Sequence, residues 1–158
     1  MKTIERSSGL GIIAVFGMAF ALLANVEAAG VADQITVTDP YVRAVPPVVR
    51  NSAAFMQINN SSAEEQFLVS ASTPVAATVE LHMHTMDDGV MRMRQIAHIH
   101  LPANGTATLQ PGGLHIMLLD LKGPLDLGDQ VPITLTFEDG SSKEISAEVR
   151  SVTQMMKH

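Results

Sequence analysis

Between residues 82 and 117 the chain carries five of its six histidines and five of its ten methionines. The histidines are His82, His84, His98, His100 and His115, and the methionines are Met83, Met86, Met91, Met93 and Met117. There is no cysteine anywhere in the sequence. Imidazole and thioether without thiolate form a ligand set suited to copper. Thioether sulfur is soft and favours Cu(I), while imidazole serves either oxidation state. A blue-copper electron-transfer site needs a cysteine thiolate and is excluded. Zinc hydrolase sites combine histidine with carboxylate or cysteine around an open position, and methionine does not fit that set. No nucleophile–base arrangement is evident, so the expectation is a metal-binding protein and not an enzyme.

Side chains two apart on a strand share a face. His115 and Met117 therefore project together, opposite Ile116 and Leu118, which read as core. The preceding Pro111-Gly112-Gly113 turn puts this pair near a strand end, where metal exchange is easier than inside a barrel. In the stretch 78–84, Glu80, His82 and His84 share one face. In 90–96, Met91 and Met93 share a face opposite Arg92 and Arg94. Asp87-Asp88-Gly89 reads as the hairpin loop between them, bringing His82 or His84 near Met91 or Met93. Register is not fixed by the sequence.

The elements that must position these groups read as short strands separated by turns. Strand signals fall at 34–37, 41–44, 52–59, 66–71, 78–84, 90–96, 98–101, 114–121, 131–137 and 143–152. Asp139-Gly140 between the last two is a strong hairpin signal. No long segment after residue 28 has helical periodicity. The expected class is all-β, a sandwich or small Greek-key barrel. With five Phe, one Tyr and no Trp, the core must rest on Val, Ile, Leu and Ala.

The N-terminus reads as a secretory signal peptide, residues 1–28. Lys2 and Arg6 give a positive start, residues 9–23 are apolar, and Val26, Ala28 and Ala29 offer small residues for cleavage. The apolar run is shorter than the roughly 20 residues a spanning helix needs. With no cysteine after it, lipid attachment through a thiol is not expected. The mature part reads as one β-domain, 29–152, with a flexible tail, 153–158. Cleavage removes Lys2, Arg6, Glu5 and Glu27, so the net charge stays at −6. That balance excludes the basic footprint of a nucleic-acid binder. Export to the periplasm suits a cysteine-free metal site, because thioethers are not lost to disulfides.

Ten residues separate His82 from Met93, twenty-one separate Met93 from His115, and one separates His115 from Met117. This spacing resembles the His–Met–His–Met signature of the periplasmic copper chaperones called PCuAC. The flanking VELHMHTMDDGVMRMR and LPANGTATLQPGGLHIMLL are similar to that family, as is YVRAVPPVVRNSAAFMQINN upstream. The resemblance implies a cupredoxin-like Greek-key fold and one Cu(I) held by His82, Met93, His115 and Met117. It also implies copper delivery toward the copper centre of cytochrome c oxidase, with oxidase subunit II or another periplasmic chaperone as acceptor. A copper storage or buffering role is the alternative.

Plainer readings stand beside these. Met93 could pack the core, and His84 has the same parity as His82. Glu80 could orient the His82 imidazole or merely be solvated. His98 and His100 share a face and could hold a weaker Cu(II) or zinc ion, but two exposed histidines are the simpler account. Met155, Met156 and His158 read as an unstructured end that could capture copper. Arg43 and Arg50 flank a proline-rich stretch and read either as partner contacts or as solvated surface.

Overall fold

Alternation in the sequence becomes alternation in burial. In the computed structural model, which describes residues 29–151, the strand Gln130–Phe137 buries Val131, Ile133, Leu135 and Phe137 and turns the residues between them outward. Each such side chain contributes about 1.5–3 kcal/mol on burial. The expected signal peptide and the tail 153–158 lie outside the described residues.

A four-residue helix, α1 (Val31–Gln34), precedes ten strands. They are β1 (Ile35–Arg43), β2 (Ser52–Asn60), β3 (Gln66–Ser72), β4 (Ala76–Asp87), β5 (Val90–Gln95), β6 (Ile99–Leu101), β7 (Gly105–Leu109), β8 (His115–Leu121), β9 (Gln130–Phe137) and β10 (Ser142–Arg150). Pairing runs in the order β5-β4-β8-β2-β1-β10-β9-β3-β6, with β7 on β2. The path is open, with β5 and β6 at its ends. The first and last strands pair in parallel, Tyr41 opposite Glu148 and Arg43 opposite Arg150. One core joins Ile58, Leu68, Ile99, Leu101, Ile116, Leu118, Ile133 and Leu135 from β2, β3, β6, β8 and β9, while every residue of β5 is exposed. The all-β class expected from the sequence is what forms.

Three elements differ from the sequence reading. The stretches expected at 34–37 and 41–44 are one strand, because a register shift between Thr38 and Tyr41 accommodates Asp39-Pro40. Asp39 has φ of 49°, which interrupts the pleat without ending the pairing. Strand β7 was not expected; its small residues give little apolar signal, yet Ala107 and Leu109 are buried by pairing with β2. Helix α1 is a single turn, too short for periodicity to reveal. Asp139 holds it in place by accepting from the Val31 N–H at 2.8 Å.

Two features position the site. Strand β2 changes partner along its length: Ser52 to Ala54 pair with β8, and Met56 to Asn60 pair with β7. Strands β4 and β5 form a hairpin through Asp88 and Gly89, with φ of 51° and 77°. Both central residues are left-handed, as a tight two-residue hairpin turn requires.

Candidate metal centre

Strand β4 lies between β5 and β8 and carries the first donors. Its pairing places His82 opposite His115, and Glu80 opposite Met117. On its other side His84 is opposite Met93, and Met86 opposite Met91. Directly paired residues on antiparallel strands put their side chains on the same face. Glu80, His82, His84, Met91, Met93, His115 and Met117 therefore share one surface of the three strands. Ile116 and Leu118 point the other way into the core, as expected. The hairpin register pairs Met93 with His84, whereas His82 is paired with Gln95.

His115 opens β8 and is only 2% exposed, although it faces away from the core. It is covered on that face by side chains of the neighbouring strands β2 and β1. Phe55 lies 6.2 Å from its ring, and Tyr41 stacks beyond Phe55 at 5.2 Å. Arg43 sits over the Phe55 ring at 5.5 Å. A cleft of about 230 Å³ opens here, lined by His84, Met93, His115 and Met117 and walled by Arg43, Val49, Phe55 and Pro111. Val49 comes from the proline-rich β1–β2 connection, and Pro111 from the turn before β8. That turn is closed by Gly113 N–H to Gln110 O at 3.0 Å. Its Gly112 has φ of 81°, a left-handed position that favours glycine.

The imidazoles are oriented for donation. His115 Nδ1 is 3.1 Å from the Gly113 carbonyl oxygen. A carbonyl only accepts, so Nδ1 carries the proton and Nε2 presents its lone pair. Burial, the largest cause, holds the His115 pKa below the ordinary 6.5, and His84, His82 and Arg43 push it the same way against the Gly113 hydrogen bond. His82 Nε2 meets Glu80 Oε2 at 2.7 Å. The contact by which Glu80 could orient the His82 ring is thus present in the geometry. His82 Nδ1, His84 Nδ1 and His115 Nε2 are buried with no hydrogen-bond partner. Leaving a buried polar atom unpaired costs about 1–3 kcal/mol. The ring centroids of His84 and His82 lie 5.1 and 5.7 Å from that of His115.

Among the described residues, no three His, Cys, Asp or Glu side chains form a metal-holding group by themselves. Met93 and Met117 add two thioethers to the imidazoles of His84 and His115 in the same cleft. Of the four residues expected from the sequence, Met93, His115 and Met117 line the cleft, joined by His84. His82 stands beside them, in register with His115 and fixed by Glu80.

His98 and His100 are elsewhere, flanking Phe67 at 4.9 and 5.5 Å, with His100 Nε2 3.0 Å from Glu65 Oε2 on the surface. Arg50 is exposed, 4.0 Å from Asp120. Sequence reasoning left Arg43 undecided and did not single out Phe55 or Val49. Phe55 had a signal available, as an aromatic in an alternating strand, but its place beside His115 depends on pairing between distant strands.

A family model described as "LpqE-like: Putative lipoprotein LpqE-like" matches residues 35–149. The chain belongs to this family. It is 31% identical to "Putative lipoprotein Lxx21020" of Leifsonia xyli subsp. xyli, over 88% of this chain and 84% of that one. The solution structure of apo-DR1885 from Deinococcus radiodurans is 37% identical, with TM-score 0.60 over 91% of this chain and 97% of that one. The CuI-DR1885 structure from the same organism is 38% identical, with TM-score 0.60 over 82% and 85%. The copper-bound PCuAC domain from PmoF2 shares the fold, with TM-score 0.65 and 24% identity over 79% of this chain and 97% of that one. The fold of this LpqE-like protein is therefore that of PCuAC domains, in accord with the resemblance carried by the His–Met spacing.

Proposed function

We propose that the protein is an exported Cu(I) carrier that holds one ion with His82, Met93, His115 and Met117, and with His84 as a fifth available donor. The observation that carries this is the pair of buried, unpartnered imidazole nitrogens of His84 and His115 in one cleft with Met93 and Met117, with that of His82 on the strand alongside. A soft monovalent cation satisfies such nitrogens and thioethers together. The CuI form of DR1885 supports the choice of oxidation state. The lipoprotein description of the family supports export, although this chain has no cysteine for lipid attachment. Among the described residues no helix is long and apolar enough to cross a membrane.

Neutral donors leave the bound ion its positive charge and avoid the tight hold of thiolates. Met93 is 46% exposed at the mouth of the cleft. An acceptor ligand entering there displaces Met93 first, while buried His115 lets go last. Transfer then runs through a shared intermediate without a catalytic group. This open mouth favours carriage over storage. The acceptor in this proposal is the copper centre of cytochrome c oxidase, through subunit II or another periplasmic chaperone, as the resemblance of the His–Met spacing implies.

The test is an anaerobic Cu(I) titration against a chromophoric chelator, beside a His115→Ala/Met117→Ala variant. One tight equivalent in the wild type, absent from the variant, is expected. Binding untouched by the variant overturns the ligand set. In a second arm, the loaded protein should metallate an apo acceptor faster than free copper at matched concentration. Equal rates would favour a buffer.

A further inference from the structure

The β4–β5 hairpin does not stop at the cleft. Beyond the His84–Met93 row comes a further row on the same face, Met86 opposite Met91. Two residues along a strand advance about 7 Å, so this row lies one step outward from the candidate centre. Strand β8 begins at His115, opposite His82, so no β8 residue covers it. Met86 is 64% exposed and Met91 56%. Among the described residues, the exposed methionines are Met86, Met91 and Met93, all on this hairpin. A methionine left in water forgoes about 1.5–3 kcal/mol of burial, and packing does not explain a cross-strand pair of them.

The charges of the hairpin are sorted onto the other face. Arg92 and Arg94 are opposite Thr85 and Met83. Both guanidinium groups pair with Asp87. The methionine face therefore presents soft donors, with the two nearby cations turned to the other face, where they share the Asp87 carboxylate.

We propose that Met86 and Met91 form a second, outer site for a soft monovalent cation, where Cu(I) is first held by two thioethers before it passes to Met93. Paired β-carbons are about 5 Å apart, and each side chain has three rotatable bonds. The two sulfurs can therefore close on one Cu(I) from opposite sides, a low coordination number that this closed-shell ion accepts. With Met93 one row inward, an ion can exchange one thioether at a time, and no oxidation or reduction is involved. This inference rests on the reading of the inner site as a Cu(I) centre.

The test uses purified protein with 13C-labelled methionine methyl groups, titrated anaerobically with Cu(I) and watched by NMR. The first equivalent should move the Met93 and Met117 methyls. A second should move Met86 and Met91, with weaker affinity because fewer donors hold it. Met86→Leu/Met91→Leu conserves volume at exposed positions, so the fold should persist. This variant should keep the first equivalent, lose the second, and load several-fold more slowly from a Cu(I) chelate. A second equivalent that leaves Met86 and Met91 unmoved, or survives in the leucine variant, overturns the outer site. In His115→Ala/Met117→Ala, loss of the first equivalent with the Met86 and Met91 shifts retained supports both sites as separate. If the wild type shows only those outer shifts, the inner reading fails and the passage to Met93 is overturned with it, while the two-thioether site itself is supported.

Discussion

Glu80 Oε2 lies 2.7 Å from His82 Nε2, and it leaves His82 Nδ1 buried without a partner. One contact thus sets both the rotamer of the ring and the nitrogen it has to offer. A carboxylate accepting from the far side of an imidazole also raises its basicity as a ligand. Removing such outer partners costs about 10–100-fold in metal affinity. Glu80→Gln should weaken Cu(I) binding by about tenfold without unfolding the protein. His82→Ala should weaken it more than His84→Ala does. Competition titrations of the three variants decide the matter. If His84→Ala has the larger effect, His84 replaces His82 in the inner set.

His115 gives the apo protein a pH-dependent stability. Burial keeps its folded-state pKa below 6.5. Between that depressed value and 6.5 the unfolded chain binds the proton and the folded protein does not. Stability is therefore full above about 6.5 and falls as pH drops through the window, by at most about 1.4 kcal/mol per unit for one group. Urea denaturation of copper-free protein at a series of pH values between 7.5 and 5 should show this slope. His115→Gln should lower stability near neutrality but remove this group's contribution to the slope. An unchanged slope would mean that other groups carry it.

Strands β8 and β9 were legible because they alternate apolar and outward-facing residues, and the turns at Asp88-Gly89 and Asp139-Gly140 carry their own chemistry. The face shared by His115 and Met117 followed from parity alone. The partner of Met93 did not, since parity allows His82 and His84 equally and only the hairpin register pairs Met93 with His84. The cover over His115 was hidden for a different reason. Arg43 and Phe55 approach His115 because β1, β2 and β8, far apart in the chain, become neighbours. Such non-local pairing leaves no trace in a local pattern. Likewise, β7 is held by its partner β2 more than by its own small residues.

Phe55 is the wall that keeps His115 dry. It is 2% exposed and contacts Tyr41, Arg43 and His115. Phe55→Ala should cost about 3–5 kcal/mol through the lost transfer energy and the cavity left behind. It should also admit water to His115 and loosen Cu(I) binding. Phe55→Leu, which fills much of the space, should recover most of both losses. Denaturation midpoints measured beside copper affinities separate the effects. Unchanged affinity in a destabilised Phe55→Ala protein would show that the wall serves stability alone.

Arg43 puts a positive charge beside a site for a cation. Its guanidinium rests on Phe55 at 5.5 Å, its Nε is buried without a hydrogen-bond partner, and its charge lowers the His115 pKa. The same field disfavours bound Cu(I). Across a partly exposed cleft this repulsion is on the order of 1 kcal/mol. A charge that weakens the hold is of no use to a store but speeds release from a carrier. Arg43→Met keeps the length and the apolar contact with Phe55 while removing the charge. It should bind Cu(I) several-fold more tightly and give it up more slowly to an acceptor. Stopped-flow transfer to a Cu(I) chelator, run at two ionic strengths, measures both effects. Tighter binding with an unchanged off-rate would place the repulsion in the approach of the ion instead of in its release.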